Sequence, residues 1–121
     1  MNLSISNIAW HEKNDEKIYK KMKELNFKYL EIAPTRWIFE NPYKSENIKR
    51  AKEIAYRIGK EYEIKVCSIQ SILYGVNERL FHNANEREIL KNRVKASIDY
   101  ARGIGCKNIV FGSPKNRKIE N

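Results

Sequence analysis

The sequence is short of the residues that usually announce a catalytic or metal centre. It has two cysteines and two histidines in 121 residues. Cys67 and Cys106 form no CxxC pair and stand beside no histidine, so zinc spacing is absent. His11, His82 and scattered acids assemble no metal site. The cysteines read as reduced, buried thiols of a cytosolic protein. No apolar run approaches the roughly 20 residues that span a bilayer. The start, Met1-Asn2-Leu3-Ser4-Ile5, lacks the basic segment and cleavage site of a signal peptide, so the cytoplasm is the expected location. A GxxxxGK[ST] phosphate loop, HExxH, a nucleophile elbow and an EF-hand pattern are all missing.

What is present is a chain 41% hydrophobic and 32% charged, with few Gly and Pro, which reads as one folded domain over residues 1–121. A net charge of +9 raises the question of nucleic acid. The Lys and Arg are interleaved with Glu along three helical segments, as on solvated helix faces. Neither an RNA-binding aromatic signature nor a dense basic arm occurs, so a nucleic-acid partner is not expected.

Four segments have strand character: about 3–10, 29–33, 65–73 and 108–112. Between them lie three helical patterns. Ile18, Met22 and Leu25 share one face of the first, opened by Asn14 or Asp15 and stopped at Asn26. Ile48, Ala51, Ala55, Ile58 and Tyr62 share a face of the second, capped by Ser45. Leu90, Val94, Ile98 and Ala101 do so in the third, which opens at Asn85 with Glu88 three residues on and ends at Gly105. The βαβαβαβ order predicts a parallel sheet with right-handed crossovers.

Ligands of parallel α/β sheets bind beyond the carboxyl ends of the strands. Those ends carry Trp10-His11, Pro34-Thr35-Arg36, Gln70-Ser71 and Ser113-Pro114-Lys115-Asn116-Arg117. Glu31 lies between Leu30 and Ile32, where an unpaired carboxylate is costly. It is either a substrate-facing acid or a structural carboxylate paired with Lys or Arg. Gln70 is a pocket hydrogen-bonder or a buried amide. Trp10 can wall a sugar site or simply pack, and His11 is a substrate contact or an ordinary loop histidine. Ser113, Lys115, Asn116 and Arg117 offer a hydroxyl, an ammonium, an amide and a guanidinium to an anion such as phosphate.

Residues 5–10 (ISNIAW), 29–36 (YLEIAPTR), 68–75 (SIQSILYG) and 109–117 (IVFGSPKNR) together resemble the sugar-phosphate isomerase/epimerase group of the xylose-isomerase-like TIM barrels. The resemblance implies an eight-stranded (β/α)8 barrel of carbohydrate metabolism. Such enzymes move a proton next to a carbonyl of a sugar or sugar phosphate, often with a divalent metal. Glu31 would be the catalytic candidate. Trp10, His11, Gln70, Ser113, Lys115, Asn116 and Arg117 would contact substrate. A full barrel takes about 250 residues, so this chain is expected to be its N-terminal half. In relatives the metal ligands lie mainly on later strands, and this chain alone is expected to bind no metal.

A half barrel leaves two strand edges and barrel-facing apolar side chains open, so a homodimer closing the ring is expected. The competing function is a catalytically inactive half-barrel that oligomerises and at most binds an anion or sugar. Type IV apurinic endonucleases share the superfamily, but the histidines of their trinuclear zinc site are not evident. An open flavodoxin-like sheet would need a Gly- or Ser/Thr-rich loop after strand one, where Trp10-His11-Glu12 stands.

Overall fold

The computed structural model describes residues 2–119. The chain forms β1 (Ser4–Ser6), α1 (Asp15–Glu24), β2 (Tyr29–Ile32), α2 (Pro34–Trp37), α3 (Ser45–Tyr62), β3 (Lys65–Ile69) and α4 (Ala84–Ile104). The three strands are all parallel, in the order β1-β2-β3. The sheet is open, but a flavodoxin-like order would place β1 between β2 and β3, so that strand order is corrected. Here each crossover moves one strand in the same direction. Right-handed crossovers of that kind set their helices on one face. Accordingly α3 packs against both α1 and α4, and all three bury apolar side chains over the sheet.

Alternation within the strands decides what each face carries. Ile5, Leu30 and Val66 are in register across the sheet, as are Ile32 and Ile69. Leu30, Ile32 and Ile69 are fully buried against Tyr19, Met22, Ala51, Ile58, Leu90 and Tyr100 from the helices. A bulge then interrupts the β2–β3 pairing. Leu30 pairs with Val66, but Glu31 pairs with Ser68, leaving Cys67 as the extra residue. The Cys67 thiol reaches the Leu30 carbonyl at 3.5 Å. This one-residue insertion turns Ser68 toward the helix-free face and returns Ile69 to the core.

Three strands are shorter than their sequences suggest, and each has a local cause. β1 stops at Ser6 because Asn7 turns the chain into a 3₁₀ turn over Asn7–Ala9. The fully buried Asn7 side chain accepts the Ala33 N–H at 3.0 Å in place of a ladder bond. β3 stops at Ile69 because Ser71 is left-handed (φ 56°) and residues 71–76 fold into successive turns. The segment expected as a fourth strand over 108–112 pairs only through Ile109 opposite Ile69, held by two backbone bonds of 3.0 and 2.8 Å. Beyond it β3 has no strand left to offer.

The helices keep their places with adjusted faces and caps. α1 buries Tyr19 and Met22; Leu25 lies past its last turn and is exposed. Asn26 is left-handed (φ 60°) as expected of a stop. Lys44, not Ser45, is the N-cap of α3, and it makes no side-chain cap bond. α4 starts two residues earlier than Asn85 and Glu88 suggest. Asn83 caps it by accepting the Glu86 N–H at 2.9 Å. Its buried face is Leu90, Ser97, Tyr100 and Ala101, so Ile98 is exposed rather than inward. No helix among the described residues is long and apolar enough to cross a membrane.

Candidate functional site

The helix-free face of the sheet is polar. Ser6 is in register with Glu31, and Glu31 with Ser68, so hydroxyl, carboxylate and hydroxyl stand in one row across three strands. Gln70 Nε2 donates to Ser6 Oγ over this row. Asn108 Nδ2 donates to Ser68 Oγ at 2.9 Å. Both serine oxygens therefore act as acceptors, which leaves their own O–H protons free for a further partner. Barrel-facing apolar side chains were the sequence expectation for this face. Ordinary alternation sets Ser6 and Glu31 there instead, and the bulge at Cys67 adds Ser68.

Glu31 is half-exposed in this row, and no hydrogen bond or ion pair holds its carboxylate among the described residues. No Lys or Arg of the described residues pairs with Glu31, so the ion pair considered from the sequence is not formed within them. A carboxylate fixed by a central strand, flanked by hydroxyls and bound to no cation, can accept a proton or hydrogen-bond a hydroxylated ligand. The nearby Cys106 is different: burial pushes its thiol up and keeps it a neutral core residue.

The remaining candidates from the sequence divide into two groups. A cleft of about 570 Å³ beyond the end of β3 brings together Gln70, Ser113, Lys115 and Asn116. Trp10, His11, Glu31 and Arg117 are not part of its lining. Within the cleft Asn116 is buried and spends both amide protons on the Val76 and Glu78 carbonyls, at 2.8 and 2.9 Å. Its backbone carbonyl accepts the Leu80 N–H at 2.8 Å. Asn116 is thus a staple between two loops, with no donor left for a ligand. Lys115 donates to Asn77 Oδ1 at 2.8 Å from an exposed position, and Arg117 Nε donates to the Gly112 carbonyl at 2.6 Å. Ser113 is left-handed (φ 38°), which shapes the loop.

Trp10 and His11 serve the β1–α1 connection. Trp10 Nε1 donates to Asp15 Oδ1 at 2.7 Å, and its ring meets Tyr19 edge to face at 6.3 Å. Asp15 in turn takes two bonds from Arg36, at 2.6 and 3.4 Å. Trp10 therefore packs, and the clamp it belongs to joins the connection after β1 to α2. His11 is exposed and accepts the Lys13 N–H at 3.3 Å as the cap of a 3₁₀ turn.

Ser6, Ser68 and Asn108 were not singled out from the sequence. Strict alternation places Ser68 on the core side with Val66, and only the bulge moves it beside Glu31. No run of Gly or Pro marks that bulge.

As for a divalent ion, no group of three or more His, Cys, Asp or Glu converges to hold one among the described residues. These donors do not fit a metal. Comparison of the chain with protein-family models, curated proteins and solved structures finds no match.

Proposed function

We propose that the chain is the N-terminal half of a sugar-phosphate isomerase/epimerase-like TIM barrel, and that Glu31 moves a proton next to the carbonyl of a sugar or sugar phosphate. The observation that carries this reading is the unpartnered Glu31 carboxylate in a row of hydroxyls on the helix-free face. Sequential strand order with helices on one face supports the barrel half, because a (β/α)8 barrel is wound in this way and keeps its other face inside. Ser6, Ser68 and Gln70 would orient the substrate hydroxyls and Glu31 would take the proton.

The three strands and the bridged segment at Ile109 make up only part of a ring, and in this reading a second copy supplies the rest. β1 is an open edge flanked by exposed Leu3 and Ile8; residues 109–111 form the other, with exposed Val110 and Phe111. A two-fold axis would set each edge of one copy beside the opposite edge of its mate, making two equivalent seams. Polar side chains would then line the interior and apolar ones the seams.

A second reading is a half-barrel that self-associates and binds an anion or sugar without turnover. It is favoured by Asn116 being consumed within its loop, and by no three metal-ligating side chains converging among the described residues. Deuterium exchange separates the two. The 121-residue protein is incubated in D2O with fructose 6-phosphate and with ribose 5-phosphate, and label next to the carbonyl is followed by NMR. The enzymatic reading expects incorporation above buffer that Glu31→Gln abolishes. Binding without incorporation would establish the second reading in its place.

A further inference from the structure

A second cleft, of about 630 Å³, lies across the Tyr74–Gly75 turn from the one that holds Gln70. Its size is that of small-molecule sites, roughly 300–1,000 Å³. Its wall combines two cations, Lys44 and Arg93, with Thr35, Phe39, Tyr43 and Tyr74, and contains no acidic residue. In a chain with net charge +9 such a recess concentrates anions.

Arg93 is set in place before any ligand arrives. Its guanidinium stacks on the Tyr43 ring at 4.8 Å. One terminal nitrogen, Nη1, donates to the Ile72 and Tyr74 carbonyls, each at 3.4 Å. No carboxylate pairs with it among the described residues, so its charge is not neutralised and stays available to an anion such as phosphate. Among the described residues Lys44 pairs with the exposed Glu46 at 3.0 Å, a pairing worth little in water. Tyr43, whose hydroxyl is pushed up by burial, stays neutral and adds no negative charge.

The apolar part of the cleft is as distinctive. Phe39 is 70% exposed and Tyr74 58%, and the two rings meet edge to face at 6.4 Å. Two aromatic rings left in water beside an unpaired guanidinium match a ligand with a charged end and a flat or apolar face. We propose that this cleft binds a phosphate monoester, with Arg93 and Lys44 on the phosphate and Phe39 and Tyr74 against the carbon skeleton. The site does not depend on the role given to Glu31, which is not part of its lining.

Titration calorimetry on the 121-residue protein tests it, with glucose 6-phosphate, AMP, inorganic phosphate and glucose as probes. At least one ester binds more tightly than inorganic phosphate, and glucose does not bind. A preference for AMP assigns a nucleotide, and a preference for glucose 6-phosphate a phosphorylated sugar. Phe39→Ala weakens the ester about tenfold and leaves inorganic phosphate unchanged. Lys44→Met weakens both, and Arg93→Lys weakens both further. Arg93 also ties down the 72–74 turn, so the exposed positions Phe39 and Lys44 keep the test decisive if Arg93→Lys does not fold. Ester affinity that both exposed variants leave within twofold, or no ester binding at millimolar concentration, overturns the proposal.

Discussion

Gln70 and Ser6 are joined across the top of β2: the Gln70 amide donates to the Ser6 hydroxyl on the face that no helix covers. The bond ties the end of β3 to the end of β1, two strands that do not pair with one another, and it passes over the row containing Glu31. A neutral side-chain bond of this sort contributes about 1 kcal/mol net. Ser6→Ala and Gln70→Leu are each expected to lower stability by about that amount. Their double mutant is expected to cost less than the sum, because both remove the same bond. Urea unfolding of the four proteins checks this; fully additive losses would mean that the bond contributes nothing.

Asn116→Ala is expected to be the more damaging change. It strips the Val76 and Glu78 carbonyls of their donor, and an unsatisfied buried group costs about 1–3 kcal/mol. Hydrogen exchange should show the loss at the Leu80 amide, which bonds the Asn116 carbonyl. Protection unchanged at Leu80 would show that the 113–117 loop holds without its staple.

The start of α4 is expected to loosen in acid. The Arg79 backbone N–H, bonded to Glu86 at 2.7 Å, holds that carboxyl below its ordinary range, with His82 adding to the effect. A carboxyl depressed in the folded state contributes stability above its unfolded value of about 4.3, and loses it as pH falls through the folded value. Protection of the Arg79 amide, taken relative to its intrinsic exchange rate at each pH, should therefore fall on the acid side of that value. Glu86→Gln should flatten the dependence; an unchanged profile in that variant would place the acid sensitivity elsewhere.

How far the sequence could be read depends on whether a feature is periodic or set by tertiary contact. The α3 face from Ile48 to Tyr62 follows 3.6-residue spacing, and Ala51, Ile58 and Tyr62 are buried as that spacing implies. The left-handed stops at Asn26 and Gly105 follow from residue type. β1 is shorter than its apolar pattern because Asn7 bonds a residue 26 positions away, which no local rule anticipates. The row around Glu31 was hidden for a similar reason, since the Cys67 bulge shifts the alternation by one residue. Asn116 and Trp10 look available in the sequence. Their partners at 76–78 and Asp15 are visible only once the chain is folded.

The barrel reading stands on what the two open edges do in solution. Light scattering on the 121-residue protein at tens of micromolar measures this most directly. Twice the chain mass is expected, reverting to a single chain when Val110 and Phe111 at the 109–111 edge are both changed to Lys. A well-folded monomer of single-chain mass in the unaltered protein would contradict that reading.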